Sequence, residues 1–276
     1  MGKKEKNKSS ISQIKLRSLN VNGLGQQGKR DKTLRKLSLK NDDFIILVDT
    51  RLKGESLKKA KNAWTGNVHS STNDRPNSSG GILILAKRGL DIIPKESGRD
   101  EANMGRMAWE IYEIRGHRLL IMGVYGPPGG DDTQNATFFE EEVFEVLDNE
   151  TYDNVIIAGD WNVFLDTEKD HKNYKSPGKY RTKTREEIKS KMRTHNLSDV
   201  YREQNPTKRE FTYKDNSGNN VSSRLDYFIV DQEAAINTIK ATIEPITDPF
   251  DHSEITITVD FDKIMRGPGF WKLNNS

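Results

Sequence analysis

The stretch "NVIIAGDWNV", Asn154–Val163, is a dense apolar run that ends in polar groups. Val155, Ile156, Ile157 and Ala158 are consecutive apolar residues, which reads as a strand covered on both faces rather than one alternating between core and water. The run then ends in Gly159-Asp160-Trp161-Asn162, a carboxylate and an amide two positions apart. A core strand that surfaces in such groups serves as a rigid arm, holding them at the rim of the core where a cleft can form.

Similar runs recur along the chain: "IKLRSLNV", "DFIILVDT", "GGILILAK", "MAWEIYEI", "RLLIMGVYG", "EFTYK", "RLDYFIV" and "SEITITVDF". Several alternate with the period of two expected for a half-buried strand, while "DFIILV" reads as interior. Helical spacing is confined to three segments: about Asp31 to Leu39, "NATFFEEEVFEVLD" from Asn135, and "TREEIKSKMRTHN" from Thr184. In the second, Glu140 to Glu142 suit a helix N-terminus. Helices fall between groups of strands rather than after each one, which favours two packed sheets flanked by helices over a doubly wound parallel sheet. "NSSGG", "YGPPGGDD" and "KDNSGNN" read as turns.

The 276 residues contain no interior linker and fit one compact unit. There is no cysteine, so disulfides, thiolate metal sites and cysteine nucleophiles are excluded together. The start "MGKKEKNKSS" lacks the apolar core of a signal peptide, and no run approaches the roughly 18 apolar residues of a membrane span. An intracellular protein without membrane contact is the expectation. Net charge is only +3, but Lys and Arg are concentrated at the start and between Lys169 and Arg193. Such stripes are either solvated faces or contacts for a polyanion.

Polar residues gather at strand ends. "LNVNG" ends in Asn20 and Asn22, "ILVDTR" in Asp49, "GVYGPP" in Tyr125, "AGDWN" in Asp160 and Asn162; "SSRLDYF" carries Asp226 and "DPFDHSE" Asp251 and His252. Singly, each has a plain reading: Asn before Gly as a turn, Tyr125 as a core edge, His252 and Asp251 as a surface pair. Together they can share one cleft. Acids and amides without cysteine suit a hard cation such as Mg²⁺, and with it phosphate ester cleavage.

In their order, "LNVNG", "DTR" after an apolar strand, "VYGPP", "GDWN", "SRLDYF" and "DHS" resemble the motifs of the endonuclease/exonuclease/phosphatase superfamily, over nearly the whole chain. That resemblance implies an α/β four-layer sandwich, two mixed β-sheets packed face to face and flanked by helices. Within the superfamily, "LSDVYREQNPTKREFTY" running into "SRLDYFIV", and the terminal "GPGFWKLNNS", are similar to the apurinic-type endonuclease domain of LINE-type (non-LTR) retrotransposons. The expected organisation is a basic tail over residues 1–10, an endonuclease domain over 11–262 and the start of a linker over 263–276, in a fragment of a longer polyprotein.

The resemblance also implies roles. Asn20 and Asp49 are expected to hold the metal, Mg²⁺ with Mn²⁺ as a substitute, with Asp251 opposite and Asn22 nearby. Asp160 is expected to activate or orient the attacking water and Asn162 to position it with the scissile phosphate. Tyr125 is expected to contact phosphate, and Asp226 to orient His252, whose imidazole binds the phosphate and stabilises its developing charge. The chain departs from the family pattern in carrying Asp49 where Glu is usual, Arg51 where His is common and Phe250 where Ser is usual. Asp49 is shorter by one carbon–carbon bond, roughly 1.5 Å, and Arg51 is expected to make an ion pair or a phosphate contact. DNA contacts are expected from Thr212 and Ser223, from Arg224, and from a hairpin tip in Phe211–Arg224, with a connector as the alternative. Lys172, Lys175, Lys179, Arg181, Lys183 and Arg185 are candidates to neutralise phosphates.

The resulting expectation is a Mg²⁺-dependent endonuclease, nuclear, that nicks one strand of double-stranded DNA and leaves a 3′-hydroxyl to prime the reverse transcriptase region of the same polyprotein. Two alternatives stand beside it. One is an abasic-site repair endonuclease or phosphatase of the same fold; the other is a catalytically weak DNA-binding module that tethers the element to its target.

Overall fold

A computed structural model describes residues 12–76, 78–215, 220–247 and 249–266. The basic tail, the hairpin tip at 216–219 and "GPGFWKLNNS" lie outside them. In chain order the strands are β1 (Gln13–Asn20), β2 (Phe44–Val48), β3 (Val68–Ser71), β4 (Ile82–Ala86), β5 (Ile93–Arg99), β6 (Met107–Ile114), β7 (His117–Tyr125), β8 (Asn154–Asp160), β9 (His171–Lys172), β10 (Leu197–Asp199), β11 (Tyr213–Lys214), β12 (Ser222–Ser223), β13 (Asp226–Asp231), β14 (Thr238–Ile243) and β15 (Ile255–Asp260). Helices α1 (Gln27–Ser38), α2 (Gly54–Ala63), α3 (Asp132–Phe138), α4 (Glu145–Asn149), α5 (Thr182–Thr194), α6 (Val200–Gln204), α7 (Gln232–Ile236) and α8 (Phe261–Arg266) connect them.

Two six-stranded sheets carry the fold, one ordered β14-β15-β1-β2-β4-β3 and the other β10-β13-β8-β7-β6-β5. Each has one parallel pair at its centre, β1 with β2 and β7 with β8, flanked by antiparallel strands. The sheets are mixed and the architecture is the expected sandwich.

Period-two alternation assigns each strand's side chains to layers. Ile156 and Ala158 of β8 face the other sheet and join Leu16, Ile46, Ile84, Ile121 and Phe228 in the central core. Val155 and Ile157 point the other way, against Phe139, Val143, Phe144 and Ile188 of the helical layer. On the first sheet, Leu47, Leu83 and Leu85 pack outward against Leu34 and Leu37 of α1 and Ala60 of α2. The layers are therefore helix, sheet, sheet, helix, and β8 is covered on both faces because it is the middle strand of a middle layer.

Several local expectations change. Asp131 caps α3 by accepting from the Thr133 and Gln134 N–H groups, so that helix begins before Asn135. Glu140 to Glu142 consequently lie in a π-helical turn, Phe139–Phe144, rather than at an N-terminus. Helix α2, whose Leu57 and Ala60 pack with Trp64 on one apolar face, and edge strand β5, which has no apolar period, were not among the expected elements; β5 is exposed along nearly its whole length. At the other end, Ile264 of α8 is still packed in the central core, so the folded unit runs past residue 262.

Candidate active site

The parallel pairs bring the motifs together. The ends of β1, β2, β7 and β8 lie at one end of the sandwich, and β13, antiparallel to β8, starts there. Register sets Tyr125 beside Asp160 and Asp160 beside Asp226 in adjacent strands. Across the sandwich Asn20 donates from Nδ2 to Asp160 Oδ2 at 2.9 Å, joining the two sheets through their polar ends. A cleft of about 810 Å³ opens over this row and is lined by Asn20, Asn22, Asp49, Arg51, Tyr125, Asp160, Asn162, Ser223, Asp251 and His252. Asp226 lies behind His252, 2% exposed.

Backbone geometry around the cleft is unusual. Asn22, Asp49, Arg51 and Asn162 all adopt left-handed conformations, with φ of 43°, 53°, 52° and 53°. Asn and Asp tolerate this region, Arg does so rarely, and such residues cluster where a site is pre-organised. Gly159 (φ 147°) has a plainer reason: a Cβ there would lie 1.9 Å from the Val124 carbonyl oxygen, inside the β7–β8 pairing. The glycine of "AGDWN" lets β8 hold its register up to Asp160.

Asp160 is the hub. Its Oδ1 accepts from the Asn162 N–H at 2.9 Å, and its Oδ2 lies 3.9 Å from His252 Nε2. His252 Nδ1 meets Asp226 Oδ2 at 2.8 Å, and Asn162 Nδ2 donates to the Gly126 carbonyl at 2.8 Å. Burial raises the Asp160 carboxyl above the usual range; Asp226 adds to this, while His252, the Asn162 N–H and Asn20 oppose it. Burial alone would lower His252, but Asp226 and Asp160 outweigh it and raise the imidazole to about 9. The two therefore titrate as a pair, with a cationic imidazole favoured at neutral pH. Burial, with Asp49 and Asp160, also raises Tyr125, so its hydroxyl stays a donor; the Arg106 guanidinium lies 4.8 Å over its ring.

Two groups of residues can take a cation. Ligand atoms of Asp160, Asp226 and His252 lie within 4.8 Å of one another; both Asp160 oxygens and Asp226 Oδ2 are committed to Asn20, Asn162 and His252, while Asp226 Oδ1 is buried with no hydrogen-bond partner among the described residues. Asn20, Asp49 and Asp251 line the same cleft and would offer an all-oxygen set. Asp251 Oδ2 accepts from Asn22 Nδ2 at 3.0 Å, while its Oδ1 is buried with no hydrogen-bond partner among the described residues. An orphaned carboxylate oxygen in the cleft that Asn20 and Asp49 also line fits a hard divalent ion. Asp49 is engaged: Oδ1 accepts from the Gly80 N–H at 2.7 Å and Arg51 Nε at 3.2 Å, and Oδ2 from Arg51 Nη2 at 2.6 Å. Phe250 fills the usual serine's place with an apolar anchor, packed beside Leu24 and Leu37.

The expected DNA contacts separate into those at the cleft and those behind it. Ser223 lines the cleft, Lys179 is exposed, and Arg181 stacks 5.4 Å over Tyr180. Thr212 is fully buried: its Oγ1 accepts from the Leu225 and Asp226 N–H groups at 2.9 and 3.1 Å, fixing the start of β13. Arg224, only 1% exposed, is paired with Asp170 at 2.8 Å and Asp199 at 2.6 Å, so its guanidinium supports the fold instead of facing a phosphate. Arg185 is likewise buried and donates to the Tyr180 and Gly178 carbonyls. The hairpin expected in Phe211–Arg224 forms as β11 and β12, with β9 as a third strand. Tyr174, Lys175, Tyr180 and Tyr213 also line the cleft; the aromatic residues interleaved with Lys in "NYKSPGKY" were the available signal.

Residues 18–248 match the endonuclease/exonuclease/phosphatase family. A 149 kDa protein of transposon TX1 from Xenopus laevis is 24% identical over 95% of this chain, which spans 19% of that protein's length. An AP endonuclease from Archaeoglobus fulgidus has a similar structure (TM-score 0.72, 16% identity, 90% of this chain and 99% of that one). So do AP endonuclease LMAP from Leishmania major (0.72, 18%, 90% and 88%) and the APE2 catalytic domain of Xenopus laevis (0.72, 18%, 90% and 92%). Among the described residues, no helix is long and apolar enough to cross a membrane.

Proposed function

We propose that this chain, which belongs to the endonuclease/exonuclease/phosphatase family, is a metal-dependent endonuclease that nicks one strand of duplex DNA to leave 5′-phosphate and 3′-hydroxyl ends. The observation that carries this reading is the buried Asp160–His252–Asp226 relay at the floor of an open polar cleft. In it Asp160 orients and deprotonates the attacking water, with Asn162 setting its position. His252, held cationic by Asp226, steadies the charge that grows on the scissile phosphate, and Tyr125 donates to the same group. Asn20, Asp49 and Asp251 would hold Mg²⁺, or Mn²⁺ in its place, which when bound supplies polarisation of the phosphoryl oxygen and support for the leaving oxygen.

Likeness to the transposon TX1 protein supports a retrotransposon setting. The chain would then be the endonuclease part of a polyprotein whose reverse transcriptase extends the 3′-hydroxyl, acting in the nucleus. A second reading, cleavage at abasic sites, is favoured by the AP endonucleases among the similar structures. The ion pair between Arg51 and Asp49 favours a third, DNA tethering without catalysis. Nicking of supercoiled plasmid, then of matched intact and abasic duplexes, separates them. Relaxed circles that need Mg²⁺, vanish with EDTA and are absent with Asp160→Asn or His252→Ala are the expected result. Cleavage confined to abasic duplex would favour repair; binding without any nicking would favour tethering.

A further inference from the structure

Arg51 holds an unusual place. Its guanidinium grips Asp49 through both Nε (3.2 Å) and Nη2 (2.6 Å), and the same Nη2 donates to Asn22 Oδ1 at 2.8 Å. Asn22 in turn bonds Asp251 and, through its N–H, Asn20 Oδ1 at 2.9 Å. One cation thus already links the oxygen set in which a divalent ion would bind. Its side chain is 44% exposed, while Asp49 is buried beneath it. The arm passes over Gly23, where an added Cβ would sit 3.3 Å from Arg51 Cδ. Lys29 stands behind with Nζ on the Val21 and Asn22 carbonyls, so a second fixed positive charge adjoins Asp49 and Asp251.

We propose that the Arg51 guanidinium is a built-in competitor for the metal: it occupies the Asp49 carboxylate and Asn22 amide in the free protein, and gives them up to a divalent cation when a DNA phosphate takes the guanidinium instead. This rests on the reading of Asn20, Asp49 and Asp251 as the metal's ligands. A fork that fits one carboxylate bidentately fits a phosphate equally well, and its exposed position on the cleft wall lets it turn without unfolding the loop. Metal binding and DNA binding are then positively coupled, and the coupling is the same whichever binds first. The left-handed backbone at both Asp49 and Arg51 aims the two side chains at each other across one intervening residue.

Mn²⁺ binding to the full chain, followed by electron paramagnetic resonance of the free ion, tests this without turnover. It is measured alone and with a short phosphorothioate duplex, and thermal denaturation checks the folding of each variant. Arg51→Gln is expected to bind Mn²⁺ about tenfold more tightly than wild type without DNA, the scale on which partners of a metal ligand alter its affinity. Most of the gain that DNA gives the wild type should be gone in that variant. Arg51→Lys, which keeps charge but not the fork, should fall between. Equal or weaker binding by a folded Arg51→Gln overturns the proposal. An Asp49→Asn control that binds as well as wild type overturns it differently, removing Asp49 from the ligand set while leaving a metal-dependent enzyme. No Mn²⁺ binding by any chain, with or without DNA, removes the metal itself.

Discussion

Among the residues, the proposed chemistry turns on one imidazole between two carboxylates. In that proposal catalysis needs Asp160 without its proton and His252 with one. Nicking should therefore rise with pH as Asp160 ionises above the ordinary carboxylate range, and fall as His252 loses its proton near pH 9. Single-turnover rates across pH would show this bell, and His252→Gln should flatten its alkaline limb while lowering the maximum by about 100-fold or more. In the sequence each of these residues had a plain reading of its own; the order of the motifs suggested their roles, and the fold brings Asp160, Asp226 and His252 together. The pairing of Arg51 with Asp49 was half legible: the sequence offered an ion pair or a phosphate contact, and only the fold shows the guanidinium spanning Asp49 and Asn22.

Elements decide which of those groups reach the cleft. Thr212 shows why position in sequence misleads: its hydroxyl serves N–H groups 13 and 14 residues away and sets where β13 begins. Thr212→Val should cost about 1–3 kcal/mol in chemical denaturation by leaving those donors buried and unpaired, and should slow nicking through displacement of Asp226. Arg224→Ala should cost more, about 3–5 kcal/mol, since Asp199 would lose its ion pair and the buried Asp170 would keep Arg202 as its one cationic partner. Gly159→Ala belongs here too, because its Cβ would strike the Val124 carbonyl in the β7–β8 ladder; Gly129→Ala, with open space around it, is the neutral control. Dense apolar runs such as β2, β4 and β8 announced themselves. Strand β5 did not, because an exposed edge strand needs no apolar alternation, and the Thr212 and Arg224 partnerships did not, because their partners are brought near only by the sheets.

For the whole molecule, two packed sheets flanked by helices were readable from the spacing of strands and helices and the four-layer sandwich from the resemblance, while the charge pattern needed the fold to divide it. Of the basic run, Lys172, Lys175, Lys179 and Lys183 are exposed and Arg185 is buried. DNA affinity should fall steeply with salt, and Lys175→Ala or Lys179→Ala should each reduce the slope of log K against log salt by about one, evenly across target sequences. The proposed activity of the cleft is to cut an intact strand and leave an end a polymerase can use. Its most direct measurement is extension: intact supercoiled plasmid treated with the chain and Mg²⁺, then given a DNA polymerase and labelled nucleotide with no repair enzyme. Label entering the nicked circles, and none after treatment with Asp160→Asn, is the expected result. Nicked circles that accept no label, or label only when the plasmid carries abasic sites, would contradict it.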